Sequence, residues 1–361
     1  NGRRRQRQMC IRDRGKTMKI TKILVALSFL FAVSTANAGE LTVTGSMEAT
    51  YQSEPEKTTG NPIGMDRELK FAGSTELDNG ITVSVMQDTG DSLTYGNSQI
   101  SFGNVGGLAT IYVGSDSDPL DAIDDVTPSA YEEANGSGSG TYNDIGTLAA
   151  QMGIGTKFDV PVLGAVNFKY YPKIDGAKNA DNAASGDTSS SVGSGSSLSI
   201  KTNLGDVPVV GTFLDGFTLT SGASEHDENT TANTDDAFEA TVALTGSLGG
   251  FKLGYQEKYR NDGQTTEAGQ HKFYRDTVYG LAYAINDELS ISYNRYESDR
   301  HSHSQVNEPQ ETDAINIGYS VGGMTIGFQD ASTDNANYVL DAKDDTRTVS
   351  YTHLTLPTTT I

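Results

Sequence analysis

The chain has 361 residues, and its 47 acidic side chains against 26 Lys and Arg give a formal charge of −21. That balance excludes nucleic acid as a partner, because phosphate binding needs a basic footprint. A mean hydropathy of −0.42 and the lack of a helix-spanning apolar run beyond the first forty residues exclude a helical membrane protein. Cys10 is the single cysteine, so there is no disulfide framework.

Met18 opens a secretory signal. Lys19 and Lys22 form its basic start, Ile23–Val33 its short apolar core, and Ala36-Asn37-Ala38 its small-residue cleavage site. Cleavage after Ala38 leaves Gly39 first, and a still more acidic chain, since 1–38 carry nine basic residues and one acid. Residues 1–17 resemble translated sequencing-adapter sequence and are set aside as an artefactual leader, as is Val349–Ile361 (VSYTHLTLPTTTI) as an artefactual tail. The folded part is therefore expected over 39–348.

Within it one pattern recurs. In the first stretch Leu41, Val43, Met47 and Tyr51 share one parity, while Thr42, Thr44, Ser46, Glu48 and Thr50 take the other. Strand side chains alternate between faces, so each such stretch is a ribbon with one apolar and one wet side. The alternation predicts strands over 40–52, 66–78, 80–88, 97–103, 108–114, 146–158, 164–173, 197–205, 216–225, 236–247, 250–260, 272–285, 287–298, 312–321, 324–331 and 344–348. Even-numbered strands end in tight turns such as Asn79-Gly80, Asn286-Asp287 and Gly322-Gly323, with Asp206–Gly216 longer than its fellows. Odd-numbered strands run into long polar loops: 53–65, 89–96, 115–145, 174–196, 226–235, 261–271, 299–311 and 332–343.

Sixteen strands, with tight turns at one rim and long loops at the other, predict an all-β fold: an antiparallel transmembrane β-barrel. In the clearest strands its lipid-facing positions, among them Phe71, Val85, Phe168, Leu281, Ile291 and Ile317, are uncharged. Arg275 and Arg295 break that parity but lie near loop ends. A soluble two-sheet sandwich would show the same alternation with inside and outside exchanged.

The third long loop, Ser115–Ile145, is the longest and the most acidic, with Asp116, Asp118, Asp121, Asp124, Asp125, Glu132, Glu133 and Asp144. Here the chain resembles the trimeric general-diffusion porins of Gram-negative bacteria. The resemblance rests on architecture, signal and loop position over Met18 to about Thr348, not on a short motif. It implies outer-membrane lipid around the barrel, a homotrimer, and a third loop that folds inward to narrow the pore. It implies that Asp116, Asp118, Asp121, Asp124, Asp125, Glu132 and Glu133 form the acidic wall of the constriction. The facing basic wall would come from early strands, where Lys70 points to the lumen by parity. Lys157, Lys169, Lys201, Lys252 and Lys258 share that parity. With acids in excess, the expected function is passive passage of small hydrophilic solutes with a preference for cations. The family ends on an aromatic residue, which Ile361 is not.

Two metal readings are weaker. Asp116, Asp118 and Asp121 could offer oxygens to Ca²⁺ but lack the glycine and terminal Glu of an EF-hand. His301 and His303 stand two apart in an outer loop. No other cofactor is expected. The chain carries no G-x-S-x-G, Walker-type phosphate loop or H-E-x-x-H, so it does not read as an enzyme. The rivals to a general porin are a substrate-selective porin with a binding site and a secreted β-rich adhesin.

Overall fold

The computed structural model describes residues 40–55, 60–90, 94–136, 142–172, 192–228, 236–265, 271–302 and 307–358. The leader, the signal and most of the loop at 174–196 lie outside them. The strands are β1 (Glu40–Ser53), β2 (Ile63–Glu76), β3 (Thr82–Thr89), β4 (Tyr95–Val105), β5 (Ala109–Gly114), β6 (Gly153–Val160), β7 (Gly164–Tyr171) and β8 (Val192–Asn203). They continue as β9 (Phe217–Glu228), β10 (Ala237–Leu248), β11 (Phe251–Thr265), β12 (His271–Ala284), β13 (Leu289–His301), β14 (Gln310–Val321), β15 (Met324–Asp334) and β16 (Lys343–Thr358).

All sixteen form one closed antiparallel barrel in which each strand pairs with its sequence neighbours and β16 pairs with β1. Closure leaves no sheet edge, the condition for a sheet in lipid. The outer face is apolar around the ring, with Phe71, Val85, Ile100, Phe168, Leu244, Leu281, Ile317 and Val349 all exposed. The lumen-facing positions are polar instead: Gln256, Asn294, Thr312, Asn316, Gln329 and Thr346 are fully buried. A soluble sandwich would need this arrangement inverted. An apolar surface of such extent is the surface of a membrane barrel.

Two boundaries differ most from the sequence reading. The first is the closing strand, expected to stop at Thr348 and found to run to Thr358. Its alternation does not stop where the suspect tail begins: Val349 and Tyr351 are exposed on the outer face, while Thr348 and Ser350 are buried inside. Val349 pairs with Tyr51 of β1 and Phe328 of β15, so the tail residues close the ring. The second is β6, which starts at Gly153 and not at 146. Residues 146–152 belong to the inward-folded loop, held there because the Gly146 and Thr147 N–H groups donate to Glu239 Oε2 at 2.9 and 3.1 Å.

The wall is uneven in height. Strands β3 and β5–β7 have six to eight residues, whereas β8–β16 have eleven to sixteen. On the tall side the outward charges near the loop rim are paired. Arg275 lies 3.6 Å from Glu257, and Arg295 binds Glu311 at 2.5 Å and Asp313 at 3.0 Å. Arg347 lies 3.2 Å from Asp330.

Candidate functional site

The loop between β5 and β6 lies inside the barrel, across the inner wall. It leaves through Gly114, where a Cβ would fall 2.2 Å from the Ser98 carbonyl oxygen. The Asp116 carbonyl accepts from Lys169 Nζ at 2.8 Å, and the Asp118 carboxylate accepts from Tyr171 OH and, at 3.0 Å, from Asp121 N–H. Leu120, Ile123 and Ile145 then form a small apolar foot with Val126 against it.

From there three side-chain amides on three strands hold the loop backbone. Gln256 Nε2 donates to the carbonyls of Ile123 and Asp124 at 2.9 and 2.7 Å. Asn294 Nδ2 donates to Pro128 O at 3.0 Å, and Gln329 Nε2 to Glu132 O and Glu133 O at 3.1 and 2.8 Å. Each buried amide finds the carbonyl it needs, and each loop carbonyl loses its water without loss of a partner. Tyr131 reaches the first strand, where its OH donates to Glu48 Oε1 at 3.3 Å. On the return, Tyr142 packs on Tyr296 with ring centroids 4.3 Å apart. They join a core of Ala134, Val278, Ala314 and Ala331.

A row of strand glycines makes room for this course. A Cβ on Gly222 would come within 2.7 Å of Ile123, and one on Gly254 within 2.4 Å of Pro128. On Gly280 it would come within 2.7 Å of Pro128 O, on Gly318 within 2.2 Å of Ala130 O, and on Gly327 within 2.2 Å of the Tyr131 ring. Gly254 pairs with Gly280, and Gly318 with Gly327. Glycine inside a strand marks the close approach of another backbone. In the sequence that signal is the placing of Gly222, Gly254, Gly280, Gly318 and Gly327 at inward parity.

The charges sort into two sets. One set is spent on fixing the loop. The fully buried Lys258 binds Asp125 and Asp144, each at 2.9 Å. Arg260 donates to Asp144 O at 2.6 Å and lies 3.7 Å from Glu239. Lys169 is buried over Tyr171. Of the expected constriction acids, Asp118 is buried under Tyr171 and so is removed from the open wall. Asp116, Asp124, Glu132 and Glu133 are half-buried, and Asp121 and Asp125 are exposed to the lumen. Burial, with Asp125 and Asp144 as like-charged neighbours, pushes the Asp124 carboxyl up to about 9.

The facing wall is not the basic one that the resemblance implies. Lys70 stands on β2 directly opposite Asp88 of β3, and Asp66 and Glu68 are exposed on the same face of β2. Lys157 lies over the Tyr112 ring at 5.2 Å. Asp66, Glu68 and Asp88 therefore stand beside Lys70 on the lumen face of β2 and β3.

Neither metal reading gains support. Among the described residues, no group of three or more His, Cys, Asp or Glu converges on a point that could hold an ion. Asp118 has both carboxylate oxygens engaged by Tyr171 and the Asp121 N–H. His301 stacks on Phe273 with centroids 4.4 Å apart, and His303 lies outside the described residues.

No protein-family profile matches the chain, and no curated protein matches it in sequence. Solved structures do match. An anion-selective porin from Comamonas acidovorans superposes with a TM-score of 0.61 at 11% identity, over 89% of this chain and all of that one. The chain has the porin fold. OmpT, an outer membrane protein of Vibrio cholerae in its trimer form, gives a TM-score of 0.62 at 10% identity over 88% of this chain and all of that one. A mutant of the Rh. blastica porin gives 0.56 at 15% over 87% and 100%. Identities this low carry the porin fold and not its ion preference.

Proposed function

We propose that the protein is a porin of a Gram-negative outer membrane, a passive diffusion channel for small hydrophilic solutes that prefers cations. The observation that carries this reading is the loop folded across the inside of a closed barrel. It narrows the lumen from the β9–β16 side and leaves Asp121 and Asp125 exposed towards a wall bearing Asp66, Glu68 and Asp88. Lys258 neutralises Asp125, and Arg260 and Lys169 are engaged by loop carbonyls, so the excess of carboxylates in the open half rests on Asp121, Asp66 and Glu68. In a narrow aqueous path between low-dielectric walls, such an excess concentrates cations and repels anions.

A homotrimer fits the uneven wall. The low side, β3 and β5–β7, carries Val85 and Phe168 exposed on its outer face, suited to packing against copies of itself.

The test is single-channel conductance of the refolded protein in a planar bilayer under a KCl gradient. Stepwise openings with a cation-selective reversal potential are expected. Absence of channels from folded barrel would overturn the channel, and an anion-selective reversal would overturn the reading of its charges.

A further inference from the structure

The turn joining β8 and β9 is longer than the others at its rim. It reads Val207-Pro208-Val209-Val210-Gly211-Thr212-Phe213-Leu214, without a charge between Asp206 and Asp215, and it shares its Val-Pro-Val start with Val160-Pro161-Val162 of the β6–β7 turn. Its apolar side chains point into the open: Phe213 is 82% exposed and Val209 77%. Val209 holds φ +70° and ψ −51°, a strained backbone for a β-branched residue. The turn also bonds part of its own backbone. Gly211 N–H donates to Val207 O at 2.8 Å, Leu214 N–H to Val210 O at 3.0 Å, and Phe217 N–H to Leu214 O at 3.1 Å. An uncharged, self-bonded apolar turn is the kind of irregular backbone that tolerates a membrane interface.

The outer face of the barrel shows why lipid would reach it. From the turn rim to Tyr255, Tyr279, Tyr293, Ile315 and Phe328, the outward residues of β11–β15 are uncharged, and beyond them stand Glu257, Arg275, Arg295, Asp313 and Asp330. On β14 the uncharged run from Val321 to Ile315 covers only about 20 Å at ~3.3 Å per residue. Strand tilt shortens it further, whereas an apolar band is ~25 Å tall. The remaining thickness has to come from the turn rim. That rim is apolar there too: Val162, Leu163 and Leu248, on the turns either side, are all well exposed.

We propose that Val207–Leu214 is a membrane anchor that buries Phe213 and Val209 among the acyl chains of the leaflet at the short-turn rim. This rests on the outer-membrane reading given above. It implies that the bilayer sits low on the barrel, with the paired outer charges standing clear of the hydrocarbon.

The chain has no tryptophan, so single-tryptophan variants report cleanly. F213W would be refolded into phospholipid vesicles with brominated acyl chains, beside L281W on the mid-height outer face and L340W at the opposite rim. The expected result is a blue-shifted F213W emission that loses most of its intensity to the brominated chains, as L281W does, while L340W keeps its intensity. Water-like, unquenched F213W emission with L281W quenched would overturn the anchor and leave the membrane barrel intact. Loss of quenching in L281W as well would sink the membrane reading itself. V209W serves the same purpose if F213W fails to fold.

Discussion

Gly254 and Gly280 stand opposite each other on β11 and β12, and Pro128 of the inward-folded loop lies against both. The two missing side chains are the space the loop occupies. The same holds for the Gly318–Gly327 pair beneath Ala130 and Tyr131.

A single methyl group should therefore disturb the pore. At Gly318 a Cβ would meet the Ala130 carbonyl, which is backbone and cannot rotate away. Gly318→Ala should cost about 1–3 kcal/mol of stability by overpacking and raise current noise as the loop loosens. Gly103→Ala, whose Cβ would meet nothing closer than 3.8 Å, is the control and should do neither. Urea unfolding and single-channel recordings check both.

Lys258→Met should leave Asp125 and Asp144 facing each other without their cation. Removing one partner of a buried pair costs ~3–5 kcal/mol. Asp125 keeps 32% side-chain exposure, so the lower end, about 3 kcal/mol, is expected here. Adding Asp144→Asn should recover part of it. The readout is the urea midpoint, with limited proteolysis of the loop as a second check.

The pH dependence has a definite sign. Asp124 is held neutral until about 9, far above the usual carboxylate. Between the two values the folded protein binds a proton that the unfolded chain has released. Its contribution to stability therefore falls as pH rises from about 4 and levels off above about 9. In the channel, the same ionisation adds a negative charge to the lumen. Cation selectivity should climb as pH passes about 9, and Asp124→Asn should remove that step with little change at neutral pH. Asp121→Asn, at an exposed site, should weaken selectivity at neutral pH itself. Reversal potentials across a pH series distinguish the two variants.

Ending the chain at Thr348 should abolish closure. It would strip Gly45–Tyr51 of β1 of their partners on β16, each unsatisfied backbone group costing several kcal/mol in lipid. The full chain should run as a heat-modifiable barrel on a gel, and the shortened one should not.

How much was legible follows from range. Alternation is a local property, and it located all sixteen strands because each side chain reports its own face. It failed at β6, where Leu148 and Met152 carry the apolar parity of Ile154 back into residues that belong to the loop. It also continues through Val349 and Tyr351, past the Thr348 at which the resemblance to adapter sequence ends the expected fold. The site was less legible. Parity put Lys258 and Lys70 in the lumen but gave no height, so nothing separated a lysine spent on Asp144 from one beside the open path. Gln256, Asn294 and Gln329 gave no signal at all, because their partners lie more than a hundred residues away.

The loop is laid across strands from β7 to β15 and reaches back to β1, and every seat on that course depends on side-chain parity. A strand slipped by one residue would turn its glycine or amide outward and put a bulky apolar side chain under the loop. The calibre of the hole and the registration of the staves are thus one quantity: a misassembled cask leaks, and only a true one sieves.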